Sequence, residues 1–339
     1  MTSELLPPFI KSLLQPEAYP HRADEIRLIQ THISYVLLAG EFVYKIKKPL
    51  DFGFLNFATL EKRKYFCEQE LLLNRRLCPD IYLEVVPVVG IGGTHRLGHD
   101  GEPVEFAVKM ARLPEERMMY RVIARGELRS SHLDRIIDIL EPFYAKAEGG
   151  AAIRSFGTAA AVGRIILENL EQIEPFVGGR ALSRQTFGVI ASYTRDFLGQ
   201  KALFEQRIEA GCVRDCHGDL YSANICLADK VHIFDCIEFN ERYRYGDLAS
   251  DVAFLAMDLD FNGLRDLSAY FIERFIRDTG DKTLDRMLRF YKCYRAMVRG
   301  KVGLLTAREP EVDEGAREEA LTRAGRYFAL AREYAAGQP

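Results

Sequence analysis

Four polar residues in the C-terminal half of the chain have the types and the spacing that phosphoryl transfer requires. Asp219 follows His217 closely, Asn224 lies five residues after Asp219, and Asp235 ends a short apolar run. A carboxylate can accept the proton of an attacking hydroxyl. Carboxylate and amide oxygens are hard donors, the kind of ligand that Mg²⁺ prefers. Asp219, Asn224 and Asp235 could therefore supply a base and two ligands for a magnesium ion.

The surrounding sequence indicates how these side chains could converge. Residues 212–239 are typical of a strand edge, a polar loop and a short apolar hairpin, so the two metal ligands would come from neighbouring segments. Phosphoryl transfer mainly requires alignment and neutralisation of charge, which such a layout can supply. Taken singly, His217 could belong to a tight turn and Asp235 could merely end a strand. The four residues together favour the chemical interpretation, with His217 as a scaffold residue.

Three stretches of this region, HGDL at 217–220, NI at 224–225 and IFD at 233–235, resemble the aminoglycoside phosphotransferase and choline kinase group. Within that group the chain is most similar to uncharacterised bacterial phosphotransferase-like proteins, some of which carry an additional P-loop ATPase domain. No G-x-x-x-x-G-K-[ST] stretch occurs in the sequence, so we expect that domain to be absent. The resemblance implies ATP and Mg²⁺ as cofactors and a hydroxyl group as the phosphate acceptor. It also implies that Asp219 is the base and that Asn224 and Asp235 hold the magnesium ion.

The resemblance also implies an α+β, protein-kinase-like fold with two lobes. An antiparallel sheet with one helix would form the nucleotide-binding N-lobe over residues 1–112, and a mainly helical C-lobe over residues 113–339 would carry the catalytic loop and the substrate site. Pro114 breaks the last predicted strand, where the lobes should join. Sequence patterns predict C-lobe helices at about 115–125, 130–148, 158–174, 183–210, 247–260, 264–279, 282–305 and 314–336.

A lysine on the third strand of kinases neutralises the α- and β-phosphates, and a small apolar residue two positions earlier covers the adenine. Val43 and Lys45 match this pair in the strand predicted over residues 42–47. Lys47 shares their face because side chains alternate along a strand. Lys47 therefore remains the alternative, although a lysine at a strand end can simply mark an exposed edge.

A carboxylate on a following helix should orient that lysine. Residues 59–77 predict a helix capped by Thr59, and Glu70 falls within its apolar stripe. A carboxylate in an apolar stripe needs a partner to offset its desolvation, and we expect that partner to be Lys45. Glu68 lies off the stripe and is the second choice.

Other expectations for the nucleotide site rest on weaker patterns. No G-x-G-x-x-G loop joins the first two strands, so the hydroxyls of Thr31 and Ser34 are candidates to contact the terminal phosphates. Polar residues in such a turn often only satisfy the turn itself. By analogy with kinases, the backbone from Met110 to Arg112 would bind adenine.

Composition narrows the remaining possibilities. The chain has 339 residues, 48% of them hydrophobic and 28% charged, which is ordinary for a globular protein. The formal net charge of −3 gives no global attraction to nucleic acid. Because no apolar run is long enough to cross a bilayer and no signal pattern is present, we expect a cytoplasmic protein without a membrane partner. Seven cysteines without a C-x-x-C pair fit buried thiols in that compartment.

The acceptor molecule is not settled by the sequence. Lys292, Arg295 and Arg299 share one face of a predicted helix, which would suit an anionic substrate, whereas Glu238 and Glu241 would suit a cationic one. A short segment after Asp235 favours a small molecule over a protein. The alternatives to a small-molecule kinase are a nucleotide-binding pseudokinase acting as an interaction module, a protein-directed kinase, and a nucleotidyltransferase. The oligomeric state stays open.

Overall fold

The computed structural model describes residues 6–309 and 312–337. Its helices are α1 Pro8–Leu13, α2 Leu60–Asn74, α3 Met119–Ala124, α4 Ser130–Lys146, α5 Ala151–Arg154, α6 Ala159–Ile173, α7 Arg184–Leu198, α8 Lys201–Glu209, α9 Glu241–Arg244, α10 Leu248–Phe261, α11 Arg265–Thr279, α12 Leu284–Thr306 and α13 Glu314–Ala335. Its strands are β1 Ile26–Gln30, β2 Ser34–Ala39, β3 Phe42–Lys47, β4 Tyr82–Ile91, β5 Thr94–Leu97, β6 Glu102–Ala111, β7 Val213–Asp215, β8 Ile225–Leu227, β9 Val231–Ile233 and β10 Tyr245–Asp247.

The chain divides into two compact units. The first unit comprises Met1–Met118 and Cys226–Glu241, and the second comprises Met119–Ile225 and Arg242–Pro339. The first unit therefore contains a segment that returns to it late in the chain and carries Asp235. The α+β class with an antiparallel sheet in one unit and a mainly helical second unit is confirmed. The predicted domain limits, 1–112 and 113–339, remain a prediction.

A six-stranded antiparallel sheet forms the centre of the first unit, in the order β1-β2-β3-β6-β4-β5. The alternation of β3 places Tyr44 and Ile46 in the apolar core on one side of the sheet, where α1 packs. On the other side, Cys67 of α2 packs with Val108 of β6. Lys45 and Lys47 alternate with Tyr44 and Ile46 along β3, so they face this second side and need polar partners there.

Helix α2 begins where the sequence predicts, because the Thr59 hydroxyl accepts the Lys62 N–H at 3.3 Å. It ends at Asn74, three residues before the predicted end at Leu77. Its buried face repeats every three or four residues and includes Cys67, Glu70 and Leu73. Glu70 is thus buried in the helix stripe, as predicted.

Long helices α10, α12 and α13 form the core of the second unit, and α10 is buried along most of its length. Close helix approach depends on Gly300 of α12, because a Cβ there would lie 2.7 Å from the Phe328 ring. Within the ranges 6–309 and 312–337, no helix is long and apolar enough to span a membrane. All seven cysteines are buried as thiols.

The prediction of a single helix over residues 183–210 was wrong, because the segment is broken into α7 and α8 at Gly199, a residue with low helix propensity. The glycine-rich residues 90–101 contain β5, which pairs with β4. Helix α1 begins at Pro8, a first-turn position that tolerates proline.

Candidate active site

Lys45 bridges two carboxylates in the first unit. Its ammonium donates to Glu70 Oε1 at 2.8 Å and to Asp235 Oδ1 at 2.6 Å. The lysine comes from β3, Glu70 from α2, and Asp235 from the segment just after β9. The contact between Lys45 and Glu70 is the one that the apolar helix stripe predicted. Glu68, the second choice, is half exposed and lies 4.0 Å from Lys64.

Lys47 also binds Glu70, so the two lysines of β3 share one carboxylate. Lys47 donates to Glu70 Oε2 at 2.7 Å and to Glu238 Oε1. Burial by itself would lower the pKa of both lysines, but the neighbouring carboxylates outweigh burial and raise it. Both ammonium groups therefore stay charged near neutral pH. The interpretation of Lys47 as an exposed strand end was wrong, because its side chain is buried.

The backbone at Asp235 adopts a left-handed conformation with φ of 62°. Among the described residues other than glycine, Asp235 is the one that has a positive φ. Asp tolerates this region better than most residues, and such strain often marks functional sites. Flanking bonds hold it: the Asp235 N–H donates to Tyr82 Oη at 3.2 Å, and the Cys236 N–H donates to Asn74 Oδ1 at 2.9 Å. The Asp235 side chain remains 42% exposed while one oxygen contacts Lys45.

Asn224 is tied to the predicted base in the second unit. Its amide nitrogen donates to the backbone oxygen and to Oδ2 of Asp219, both at 2.9 Å. Because the nitrogen is committed to these bonds, the amide oxygen is the atom that Asn224 can offer to a cation. An amide oxygen suits Mg²⁺, which typically takes one or two protein oxygens together with phosphates and water. Among the described residues, no group of three or more His, Cys, Asp or Glu side chains could hold a metal ion.

Two aspartates of α10 hold the backbone of the catalytic loop. Asp251 accepts the N–H groups of His217 and Gly218 at 2.7 and 3.0 Å, and Asp258 accepts the Ser222 N–H at 3.0 Å. Burial raises the pKa of Asp258 despite this hydrogen bond. The positive φ of 88° at Gly218 lets the chain turn between these anchors.

His217 supports the backbone around Asp219 from inside the unit. Its ring Nδ1 accepts the Asp219 N–H at 3.2 Å, and the residue is fully buried. Asp247 is also structural: it caps α10 through the Ala249 N–H and pairs with the buried Arg207.

The three cations of α12 do not form a common anion-binding face. Lys292 pairs with Asp260 at 2.9 Å, and Arg295 donates to the Gly218 carbonyl at 2.9 Å. The Arg299 guanidinium stacks over the Tyr221 ring at 4.7 Å. These side chains are largely engaged inside the unit, and Arg295 is a support of the catalytic loop.

A cationic acceptor also loses one of its candidate partners. Glu238 is only 7% exposed and its carboxylate is committed to Lys47. Burial raises the pKa of Glu238, while Lys47 opposes that shift. Glu238 is therefore part of the buried network and not a surface carboxylate.

The other residues predicted for the nucleotide site make backbone and turn contacts. Thr31 Oγ1 accepts the Ser34 N–H at 3.0 Å, so these residues close their own turn, and Ser34 is fully buried. The N–H of Arg112 donates to the Glu41 carbonyl at 2.8 Å. Met110 is paired on both sides because β6 lies inside the sheet. Adenine binding by the backbone from Met110 to Arg112 stays a prediction, and Val43 lies two positions before Lys45 on β3.

Comparisons with known proteins agree with this architecture. An amicoumacin kinase, solved with AMP-PNP, Ca²⁺ and Ami, has a TM-score of 0.54 at 11% identity, over 97% of this chain and 92% of its own. The chain has a protein-kinase-like fold. This confirms, at the level of the fold, the resemblance inferred from the catalytic loop. A choline/ethanolamine kinase family protein from Mesorhizobium loti matches with a TM-score of 0.48 at 12% identity, over 91% of this chain and 92% of its own.

Sequence comparison finds relatives of undescribed function. Uncharacterised proteins from Mycobacterium bovis and Mycobacterium tuberculosis are 34% identical over 275 residues, which is 80% of this chain and 53% of theirs. The chain thus spans about half the length of these relatives. No family model matches the sequence.

Sequence reasoning missed the supporting residues Glu238, Asp251 and Asp258 as members of the site. A signal for the last two is present: aspartates seven residues apart lie on one face of an otherwise apolar helix. Buried carboxylates at such positions need donors. Nothing in the pattern around Glu238 indicates Lys47 as its partner.

Proposed function

We propose that the protein is an ATP- and Mg²⁺-dependent phosphotransferase that moves the γ-phosphate to a hydroxyl of a small molecule. The observation that carries the proposal is the bridge from Lys45 to both Glu70 and Asp235. A strand lysine paired with a helix carboxylate, beside the aspartate that would hold the metal, is the arrangement that kinases use to place nucleotide phosphates. The protein-kinase-like fold supports the same reaction class.

Each candidate residue has a defined task in this proposal. Asp219 accepts the proton of the acceptor hydroxyl, and the Asn224 amide fixes the orientation of its carboxylate. Lys45 neutralises the α- and β-phosphates. Asn224 and Asp235 would hold Mg²⁺ through their side-chain oxygens. When bound, ATP would supply the γ-phosphoryl group and leave as ADP, and Mg²⁺ would neutralise the charge on the phosphates. Since this chemistry uses ATP, we place the protein in the cytoplasm.

The test is a metabolite-library screen for ATP consumption by the purified chain with Mg²⁺. Asp219→Asn preserves the size of the base but removes its basicity, so we expect acceptor-dependent turnover to fall by a factor of about 10² or more. Asp100→Asn is the matched control, because the Asp100 side chain is 91% exposed. Both variants should bind nucleotide like the wild type.

The screen also separates the alternatives. A chain that binds MgATP but gives no turnover above the Asp219→Asn background with any acceptor would be a pseudokinase, and the proposal would be wrong. Release of pyrophosphate with labelling of the chain by the nucleotide would indicate nucleotidyl transfer.

A further inference from the structure

Lys47 and Glu238 form a buried ion pair next to the residues assigned to nucleotide binding. Lys47 is 1% exposed and Glu238 is 7% exposed, so a bound nucleotide would not touch either side chain directly. The Lys47 ammonium also packs over the Phe57 ring at 4.9 Å. Burying two ions is costly, and a pair of this kind often gives little net stability compared with apolar residues. The pair lies beside Glu70, which indicates a role other than stabilising the fold.

This role follows from the contacts of the Glu70 carboxylate. Its Oε1 accepts from Lys45 at 2.8 Å and its Oε2 accepts from Lys47 at 2.7 Å, so each carboxylate oxygen is fixed by one lysine of β3. The Glu70 side chain is completely buried. Without Lys47, its second oxygen would lose its charged donor and the carboxylate could rotate. Lys45 would then lose a fixed anchor on α2.

Lys47 also reaches the segment that carries Asp235. Through Glu238 it ties the chain three residues after Asp235 back to β3. The bonds from Asp235 to Tyr82 and from Cys236 to Asn74 hold the near side of the same segment. The left-handed backbone at Asp235 therefore lies in a segment that is fixed on both sides.

We propose that Lys47 and Glu238 are positioning residues, which fix Glu70 and the segment after Asp235 so that Lys45 and Asp235 keep the geometry for a magnesium–nucleotide complex. This inference rests on the proposed function. It assigns β3 two lysines with separate tasks: Lys45 contacts the nucleotide phosphates, and Lys47 holds the residues that place Lys45 and Asp235. Lys47 has no direct part in the reaction.

The experiment measures ADP affinity by titration calorimetry, with and without Mg²⁺, and thermal unfolding of every variant. The ratio of the two affinities isolates the magnesium-dependent part of binding, which depends on Asp235. In Lys47→Met we expect this ratio to fall about fivefold or more. In Glu238→Gln the ratio should fall less, because Lys47 would still donate to Glu70. The matched control is Lys64→Met, which removes a half-exposed lysine of α2 and should leave the ratio unchanged.

Further variants separate the possible outcomes. Lys45→Met should lose nucleotide affinity. If it binds MgADP as the wild type does, the proposed function fails, whatever Lys47 does. If Lys45→Met loses binding while folded Lys47→Met keeps the wild-type ratio, the positioning role alone is wrong. A merely structural role would lower both affinities by the same factor and leave the ratio constant. Should Lys47→Met fail to fold, Glu238→Gln decides by the same ratio.

Discussion

Replacement of Asp251 by Asn should destabilise the second unit strongly, because one carboxylate serves several buried donors. Asp251 accepts the N–H groups of His217 and Gly218, and it accepts the Tyr144 hydroxyl at 3.1 Å. The Arg295 guanidinium lies 3.7 Å away, and Asp251 itself is 1% exposed. An Asn side chain has a single acceptor oxygen and carries no charge.

The magnitude can be worked from these contacts. Removing one partner of a buried charge pair costs about 3–5 kcal/mol, and a buried donor left without an acceptor costs about 1–3 kcal/mol. Arg295 keeps its bond to the Gly218 carbonyl, and 3.7 Å is a long ion-pair distance, so the lower end applies. We expect Asp251→Asn to lower the free energy of unfolding by about 3 kcal/mol.

Asp258→Asn is the comparison variant, since Asp258 is equally buried but holds one backbone N–H. Its raised pKa shows that burial already disfavours the charged form. An Asn oxygen can still accept from Ser222, so the expected cost is about 1 kcal/mol. The chain lacks tryptophan, so urea unfolding is best followed by circular dichroism. Equal losses in the two variants, within about 0.5 kcal/mol, would refute the reasoning.

Two further predictions concern α12. Gly300→Ala should destabilise the protein by about 1–3 kcal/mol, because the new Cβ would lie 2.7 Å from the Phe328 ring. Urea unfolding measures this loss, and an unchanged free energy of unfolding would contradict the close packing. Burial lowers the pKa of Lys301 to about 8, so the charged form of this lysine is disfavoured in the folded state. The free energy of unfolding should therefore decrease as pH falls from about 10.5 to about 8. The free energy of unfolding of the wild type relative to Lys301→Met should therefore be higher at pH 10 than at pH 7.5, and a constant difference would disprove the shift.

The elements that carry the chemistry were predictable from local patterns. The alternation of β3 places Lys45 and Lys47 on one face, and the periodicity of α2 places Glu70 in its buried stripe. Both patterns depend only on backbone geometry, which repeats every two or every 3.6 residues. Asp219 and Asn224 lie five residues apart in one short polar loop, and the structure adds a hydrogen bond between them that the spacing did not predict.

Side-chain partners far apart in the chain were not predictable in this way. Lys47 and Glu238 are separated by 191 positions, and Asp251 follows Gly218 by 33. A charged residue shows in the sequence that a partner is needed, but many residues of opposite charge could meet that need. The backbone hydrogen bonds of β6 depend in the same way on strand order.

The sequence alone therefore indicated the proposed phosphoryl transfer through Asp219, Asn224 and Asp235, and it determined the local faces of β3 and α2. Only the tertiary structure decided that Lys47 is buried, that Glu238 is committed to it, and that Arg295 supports the catalytic loop. The physical reason is desolvation: a charge withdrawn from water must find a partner in three dimensions, and chain folding chooses which one.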